Sequence, residues 1–176
     1  MCLLNETVRK RLADFIKHPF EPIYDSDSRI LILGTIPSPK SRELNFYYGH
    51  PQNRFWFILA DLFNENKLNT IPEKYEFLIR HKIALWDVFA SCEIQGAEDS
   101  SIRNAVPNDL DRVFSASEIK AVFTNGQKAS AAYKKYFYPK YDVSWFSLPS
   151  TSPANCRNWT YEKLKEAYRV ILDFLL

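Results

Sequence analysis

Four short apolar runs punctuate the chain, and segments of helical spacing lie between them. Residues 30–33 (Ile30-Leu31-Ile32-Leu33) and 83–86 (Ile83-Ala84-Leu85-Trp86) are unbroken apolar runs, the pattern of strands buried on both faces; 120–124 and 143–148 read as two further strands. Phe55, Ile58, Leu59, Leu62 and Phe63 recur at helical spacing and predict a helix over 53–64. A second helix is expected over 72–81, with Pro72 in its first turn. Leu110, Val113 and Phe114 suggest a short helix, Ala129, Ala132, Tyr133, Tyr136 and Phe137 place another over 127–137, and Leu164, Ala167, Tyr168, Ile171, Leu172 and Leu175 align a last one from Thr160. At the N-terminus Asn5 can cap a helix through Lys17, with Val8, Leu12, Phe15 and Ile16 on one face and His18-Pro19-Phe20-Glu21-Pro22 as its stop. Asn125-Gly126 is also a hairpin signal, but the helical spacing after it favours a strand-to-helix turn. The polar stretch 91–108 shows no period and is expected to be a long functional loop.

Strands alternating with helices predict an α/β fold of three layers, α/β/α, around a short central parallel sheet of about four strands. In such a sheet the strand ends at Gly34, Asp87, Asn125 and Pro149 meet on one edge, where open α/β sheets bind ligands. With 176 residues and no repeat or linker, a single domain over 1–176 is expected, large enough to form a core without disulfides. The aromatic share, 15%, exceeds what a core alone requires and leaves rings for a ligand. A net charge of +2 gives no strongly basic footprint, so charge neither demands nor excludes a nucleic acid. Cys2, Cys92 and Cys156 are too few and too far apart for a disulfide framework or a paired zinc site, which favours a reducing, intracellular setting. No apolar run reaches the roughly 18–20 residues of a membrane span, and the first residues lack a signal-peptide pattern. The expectation is a soluble, untargeted cytoplasmic monomer with no membrane partner.

Gly34-Thr35-Ile36-Pro37-Ser38, followed by Tyr47-Tyr48-Gly49-His50-Pro51-Gln52-Asn53-Arg54-Phe55-Trp56, resembles the uracil-DNA glycosylase superfamily, and most of all its hypoxanthine-DNA (deoxyinosine) glycosylase branch. Leu85-Trp86-Asp87-Val88, Ser91-Cys92-Glu93, Asp99-Ser100-Ser101-Ile102 and Leu148 to Asn155 agree with that branch, so the likeness spreads over about residues 30–170. It implies a metal-free, cofactor-free, monofunctional enzyme that flips a deaminated base out of double-stranded DNA, hypoxanthine foremost, and hydrolyses its glycosidic bond. Two rivals remain: the same fold acting on uracil or mismatched pyrimidines, and a catalytically silent domain that only binds nucleic acid or nucleotide.

One position departs from the pattern. Mismatch-specific relatives carry a water-positioning asparagine where this chain has Ile36; the resemblance moves that role to Asn53, with Asn45 as fallback. Asn53 also stands where a helix N-cap belongs, and both roles can hold. His50 is a candidate for phosphate or transition-state charge, or a structural histidine. The loop Gly34-Thr35-Ile36-Pro37-Ser38 is expected to surround the leaving base with main-chain N–H groups, from its residues other than Pro37, which has none. Phe46, Tyr47 and Tyr48 are candidates to stack on that base or to fill the core. Asp87, at a strand end where relatives place a base-reading side chain, could accept the N1–H that adenine lacks, or could cap a turn; Asn125 joins it at the next strand end. Ser150, Thr151, Ser152, Pro153 and Asn155, with Arg157, resemble the loop that holds the duplex open. Lys40, Arg42, Arg54, Arg103 and Lys128 are candidates to follow the DNA backbone or ordinary solvated charges.

Overall fold

In the computed structural model of the chain, residues 13–175 are described. Four strands, β2 Ile30–Gly34, β3 Ile83–Asp87, β6 Ala121–Asn125 and β7 Ser144–Leu148, form a parallel sheet in the order β3-β2-β6-β7. Every residue of β2, β3 and β6 is buried, as their unbroken apolar runs require. Each fully buried Leu or Ile there contributes roughly 2 kcal/mol. Helices flank the sheet: α3 Ile71–Arg80 packs on β3, the short α4 Asp111–Phe114 precedes β6 as its apolar residues suggest, α5 Gln127–Tyr136 packs on β6 and β7, and α2 Phe55–Leu62 against α6 Tyr161–Tyr168. The three-layer α/β fold expected from the alternation is the fold observed. The C-terminal helix is shorter than its apolar spacing suggests, because Arg169–Phe174 tightens into a 3-10 helix.

Chain direction around β2 sets the position of the site. The chain leaves β2, returns through α2 and α3 to pair β3 on one side, and later pairs β6 on the other. The crevice therefore opens at the carboxyl end of β2, where Gly34 lies level with Asp87. The connection after Gly34 is not wholly irregular. Ser38 caps a short helix, α1 Pro39–Glu43, by accepting the Ser41 N–H at 3.2 Å.

Two expectations fail. Residues 5–12 of the N-terminal helix lie outside the described residues, and the remainder is not helical: β1 Asp14–Lys17 pairs antiparallel with β4 Phe89–Ile94, Ile16 opposite Cys92. Phe15 is 68% exposed whereas Ile16 packs on the core, so the two face opposite ways, as strand alternation demands. Pairing with a distant strand has overridden the local helical spacing.

The stretch 91–108 is not a loop throughout either. Most of it forms the β4–β5 hairpin, with β5 Arg103–Pro107 antiparallel to β4, and only its tip, 95–102, and Asn108 lack strand structure. Register shifts between Phe89 and Ser91 and between Ser91 and Glu93 break the period-two alternation, which is why no strand pattern shows in the sequence. β1, β4 and β5 make a second, three-stranded sheet. It carries the hairpin tip over the carboxyl edge of the parallel sheet.

Candidate active site

A cleft of about 1000 Å³ lies at that edge, large enough for a nucleoside. Gly34, Thr35, Ile36, Pro37 and Ser38 form one wall with Tyr48, His50 and Asn53; Asp87 and Asn125 lie at its floor; residues 149–155 and the hairpin tip 96–100 form the other walls. The four strand ends thus meet as the alternation predicted. Phe46 does not take part. It is 9% exposed and stacks on Trp56 with centroids 5.8 Å apart, because the turn after α1 points it into the core. Asn45 is exposed, at φ +52°, and is absent from the cleft wall; it supplies the left-handed turn that asparagine tolerates. Arg157 is exposed and also absent from the wall.

Asn53 reaches the cleft from the start of α2. Its Oδ1 accepts the Phe55 N–H at 3.0 Å, which fixes the amide and opens the helix. A carbonyl oxygen has a second lone pair, so Asn53 can hold the helix start and still orient a water. The His50 carbonyl accepts the Asn53 N–H at 2.9 Å, and His50 Nδ1 accepts the Gln52 N–H at 3.1 Å, which leaves Nε2 as its outward nitrogen.

The floor contains a pair that sequence reasoning missed. Asp87 Oδ2 lies 2.8 Å from His18 Nε2, with side chains 6% and 4% exposed. His18 Nδ1 lies 2.9 Å from the Phe20 carbonyl oxygen and 3.3 Å from the Phe20 backbone nitrogen, so the Phe20 main chain holds the ring in place. His18 arrives because its N–H donates to the Ala90 carbonyl at 2.8 Å, extending the β1–β4 pairing. A histidine beside a proline carries no sign of this in the sequence.

Gly34 is required where it stands. A Cβ there would lie 2.2 Å from Asp87 Oδ1 and 2.9 Å from the Tyr48 hydroxyl oxygen. Across the cleft, Asp99 Oδ2 accepts the Thr35 hydroxyl at 3.2 Å. Desolvation in the cleft raises the Asp99 carboxyl above its ordinary range and the Asp87 charge adds to this, against the opposing Thr35 bond and Lys128 charge.

The loop 149–155 is held from within the protein. Both ends of the Asn125 amide are engaged by Thr151: Nδ2 donates to its Oγ1 and Oδ1 accepts its N–H, each at 3.0 Å. Thr151 is fully buried, so its hydroxyl serves this clasp rather than a phosphate, and Asn125 serves the loop before any base. Arg54 donates to the carbonyls of Trp159 and Ser152, and Tyr168 to that of Pro149. Ser150 Oγ accepts the Ser152 N–H, Ser152 Oγ the Ala154 N–H, and Asn155 Nδ2 donates to the Ser150 carbonyl. Pro153 opens a 3-10 turn, Pro153–Asn155.

Of the basic candidates, Arg42 and Arg103 likewise donate to nearby carbonyls, and Lys40 pairs with Glu43. Lys128 alone among these five lines the cleft. Among the described residues no group of His, Cys, Asp and Glu side chains could hold a metal ion, and no helix is long and apolar enough to cross a membrane.

Comparison with known proteins gives one consistent answer. The family profile of the Uracil DNA glycosylase superfamily matches residues 21–175. A Hypoxanthine DNA glycosylase from Methanosarcina acetivorans is 33% identical over 144 residues, 81% of this chain and 90% of that protein. Its namesake from Methanosarcina barkeri is 38% identical over 116 residues, 64% of this chain and 73% of that protein. A solution NMR structure from Methanosarcina acetivorans, described as a candidate uracil DNA glycosylase, superposes with a TM-score of 0.76 at 29% identity, covering 90% of this chain and 99% of that one. With the profile spanning both the sheet and the loops that wall the cleft, this chain belongs to the uracil DNA glycosylase superfamily.

Proposed function

We propose that the protein is a monofunctional DNA glycosylase that takes a deaminated base from double-stranded DNA, hypoxanthine foremost, and hydrolyses its bond to deoxyribose. The observation that carries this reading is the convergence of Asn53 and Asp87, thirty-four positions apart in the chain, on one nucleoside-sized cleft. The relatives named Hypoxanthine DNA glycosylase support the choice of base.

The flipped nucleotide enters at the carboxyl edge of the sheet, at a cost of a few kcal/mol that is least for a badly paired base. The C1′–N9 bond breaks with its electron pair leaving on the base, and an oxocarbenium-like sugar forms. Asn53, fixed by Phe55, orients a water toward C1′; the water's oxygen forms the new bond and its proton passes to solvent. An amide suits this task because it holds the water without a protonation step of its own. Asp87 accepts the N1–H of hypoxanthine, and the 150–155 loop, clasped from within, holds the duplex apart. Hydrolysis leaves an abasic site. The enzyme acts as a monomer with no metal in the reaction.

Base release from duplex oligonucleotides containing deoxyinosine, deoxyuridine or deoxyxanthosine tests the reading. Hypoxanthine release is expected, falling at least about 100-fold in Asn53→Ala. Release of uracil but not hypoxanthine would overturn the choice of base, and excision that survives Asn53→Ala at the wild-type rate would overturn the role of Asn53. Borohydride is expected to trap no covalent adduct with the DNA.

A further inference from the structure

Tyr48 carries two unfavourable features at once. Its backbone sits at φ +51°, a conformation costly for a bulky aromatic residue, and its buried hydroxyl makes no well-aligned hydrogen bond, although the Asn125 amide stands near it. A lone buried hydroxyl costs about 1–3 kcal/mol and calls for a ligand or another compensation. The ring itself is well placed, stacked on Phe55 with centroids 3.9 Å apart. The hydroxyl and Asp87 Oδ1 stand 2.9 and 2.2 Å from the point where a Gly34 Cβ would lie, so both oxygens crowd the bare face of Gly34 and lie side by side in the lining of the cleft. Asp87 Oδ2 is taken by His18, which leaves Oδ1 for a ligand. Burial first, then the Asp87 charge, hold the Tyr48 phenol protonated well above its ordinary range against the opposing Asn125 amide, so the two oxygens form a donor next to an acceptor.

We infer that the Tyr48 hydroxyl and Asp87 Oδ1 form a two-point reader for an H–N–C=O base edge, Tyr48 donating to the carbonyl oxygen while Asp87 accepts the N–H. Tyr48 is thereby a specificity-determining residue. Hypoxanthine presents that edge at N1 and C6, and uracil presents it at N3 and C4. Adenine and cytosine present the reverse, a bare ring nitrogen beside an amino group, and would set a lone pair against the Asp87 carboxylate. Guanine and thymine share the H–N–C=O edge, so the reader separates hypoxanthine from adenine and uracil from cytosine but does not separate xanthine from guanine. The identity of the ligand as a flipped base rests on the glycosylase reading above.

Tyr48→Phe deletes the hydroxyl and keeps the ring. A merely structural hydroxyl would lower the melting temperature on removal; the orphan described here predicts an unchanged or higher one. Excision of deoxyinosine should fall at least about tenfold in kcat/KM. Excision of deoxynebularine, whose purine lacks both the N1 hydrogen and the 6-oxygen, should be the same in wild type and variant. Equal losses on both substrates, or wild-type excision of deoxyinosine, overturns the reader.

A second measurement does not need catalysis: equilibrium binding of free hypoxanthine and free adenine. Wild type should prefer hypoxanthine, and the preference should narrow at least about tenfold in Tyr48→Phe. A wild type that excises nothing yet keeps this preference supports the reader and refutes the glycosylase. One that excises hypoxanthine while the variant's preference is intact does the reverse. No preference in wild type overturns the reader.

Discussion

The two flexible-looking walls of the cleft are built on opposite principles. The loop 149–155 is bound to the body of the protein by Asn125, Arg54 and Tyr168, and Gly126, at φ +99°, lets it lie so close that an added Cβ would stand 3.1 Å from Ser150 Cβ. The hairpin tip 95–102 turns at Gly96, φ +60°, where an added Cβ would meet nothing within 4 Å. Several of its bonds close on itself, among Gln95, Glu98 and Ser101, and Asp99 reaches across the cleft to Thr35. A wall that presses into a duplex gains from being fixed beforehand, because ordering it at each encounter would cost affinity. The tip takes its shape mainly from its own turn, so a change there should cost the rest of the fold less. The base of the hairpin sheet is nonetheless fixed, through His18 on Asp87.

Five substitutions, one of them a rescue, would break or sharpen that contrast. His18→Ala should be the most damaging, because it leaves the buried Asp87 carboxylate half-paired, at a cost of about 3 kcal/mol in urea denaturation. Adding Asp87→Asn should recover at least half of the loss; no recovery would mean that His18 acts through packing alone. Gly126→Ala should cost about 2 kcal/mol, from a backbone conformation nearly closed to alanine and the approach of Ser150, and should make residues 149–155 a new site of limited proteolysis.

Gly96→Ala should cost about 1 kcal/mol, from its left-handed backbone only. Equal losses at the two glycines would show that the tip is held as firmly as the loop. The smallest effect is expected at Asp99. Its carboxyl has a folded pKa raised above the ordinary 3.8, so its contribution to stability is fully present below that value and is lost as pH rises through the folded one. Asp99→Asn should therefore melt slightly higher near pH 7, by less than about 2 °C given solvent screening, and the difference should close in thermal scans below pH 4.

What the sequence determined on its own was the layered frame and the place of the cleft. Strands buried on both faces announce themselves as unbroken apolar runs, and flanking helices by their spacing, so the sequence alone places Gly34, Asp87, Asn125 and Pro149 on one edge. It also brought Asn53 and the loop 149–155 to that edge, because those motifs sit directly beside the elements that carry them. Elsewhere it was misleading or silent. Asp14–Lys17 and the β4–β5 hairpin owe their form to partners far along the chain and to shifted register, neither of which leaves a local period.

Side-chain roles divided in the same way. Phe46 and Thr151 carry the right chemistry for a ligand and are turned inward by the turn and the clasp around them, while His18, which the sequence offers only as part of a helix stop, is brought under Asp87 by strand pairing. Residue type and spacing are local properties and can be read along the chain. Which hydroxyl is left without a partner, and which carboxylate oxygen stays free, depends on contacts between distant segments, and only the tertiary structure decided them.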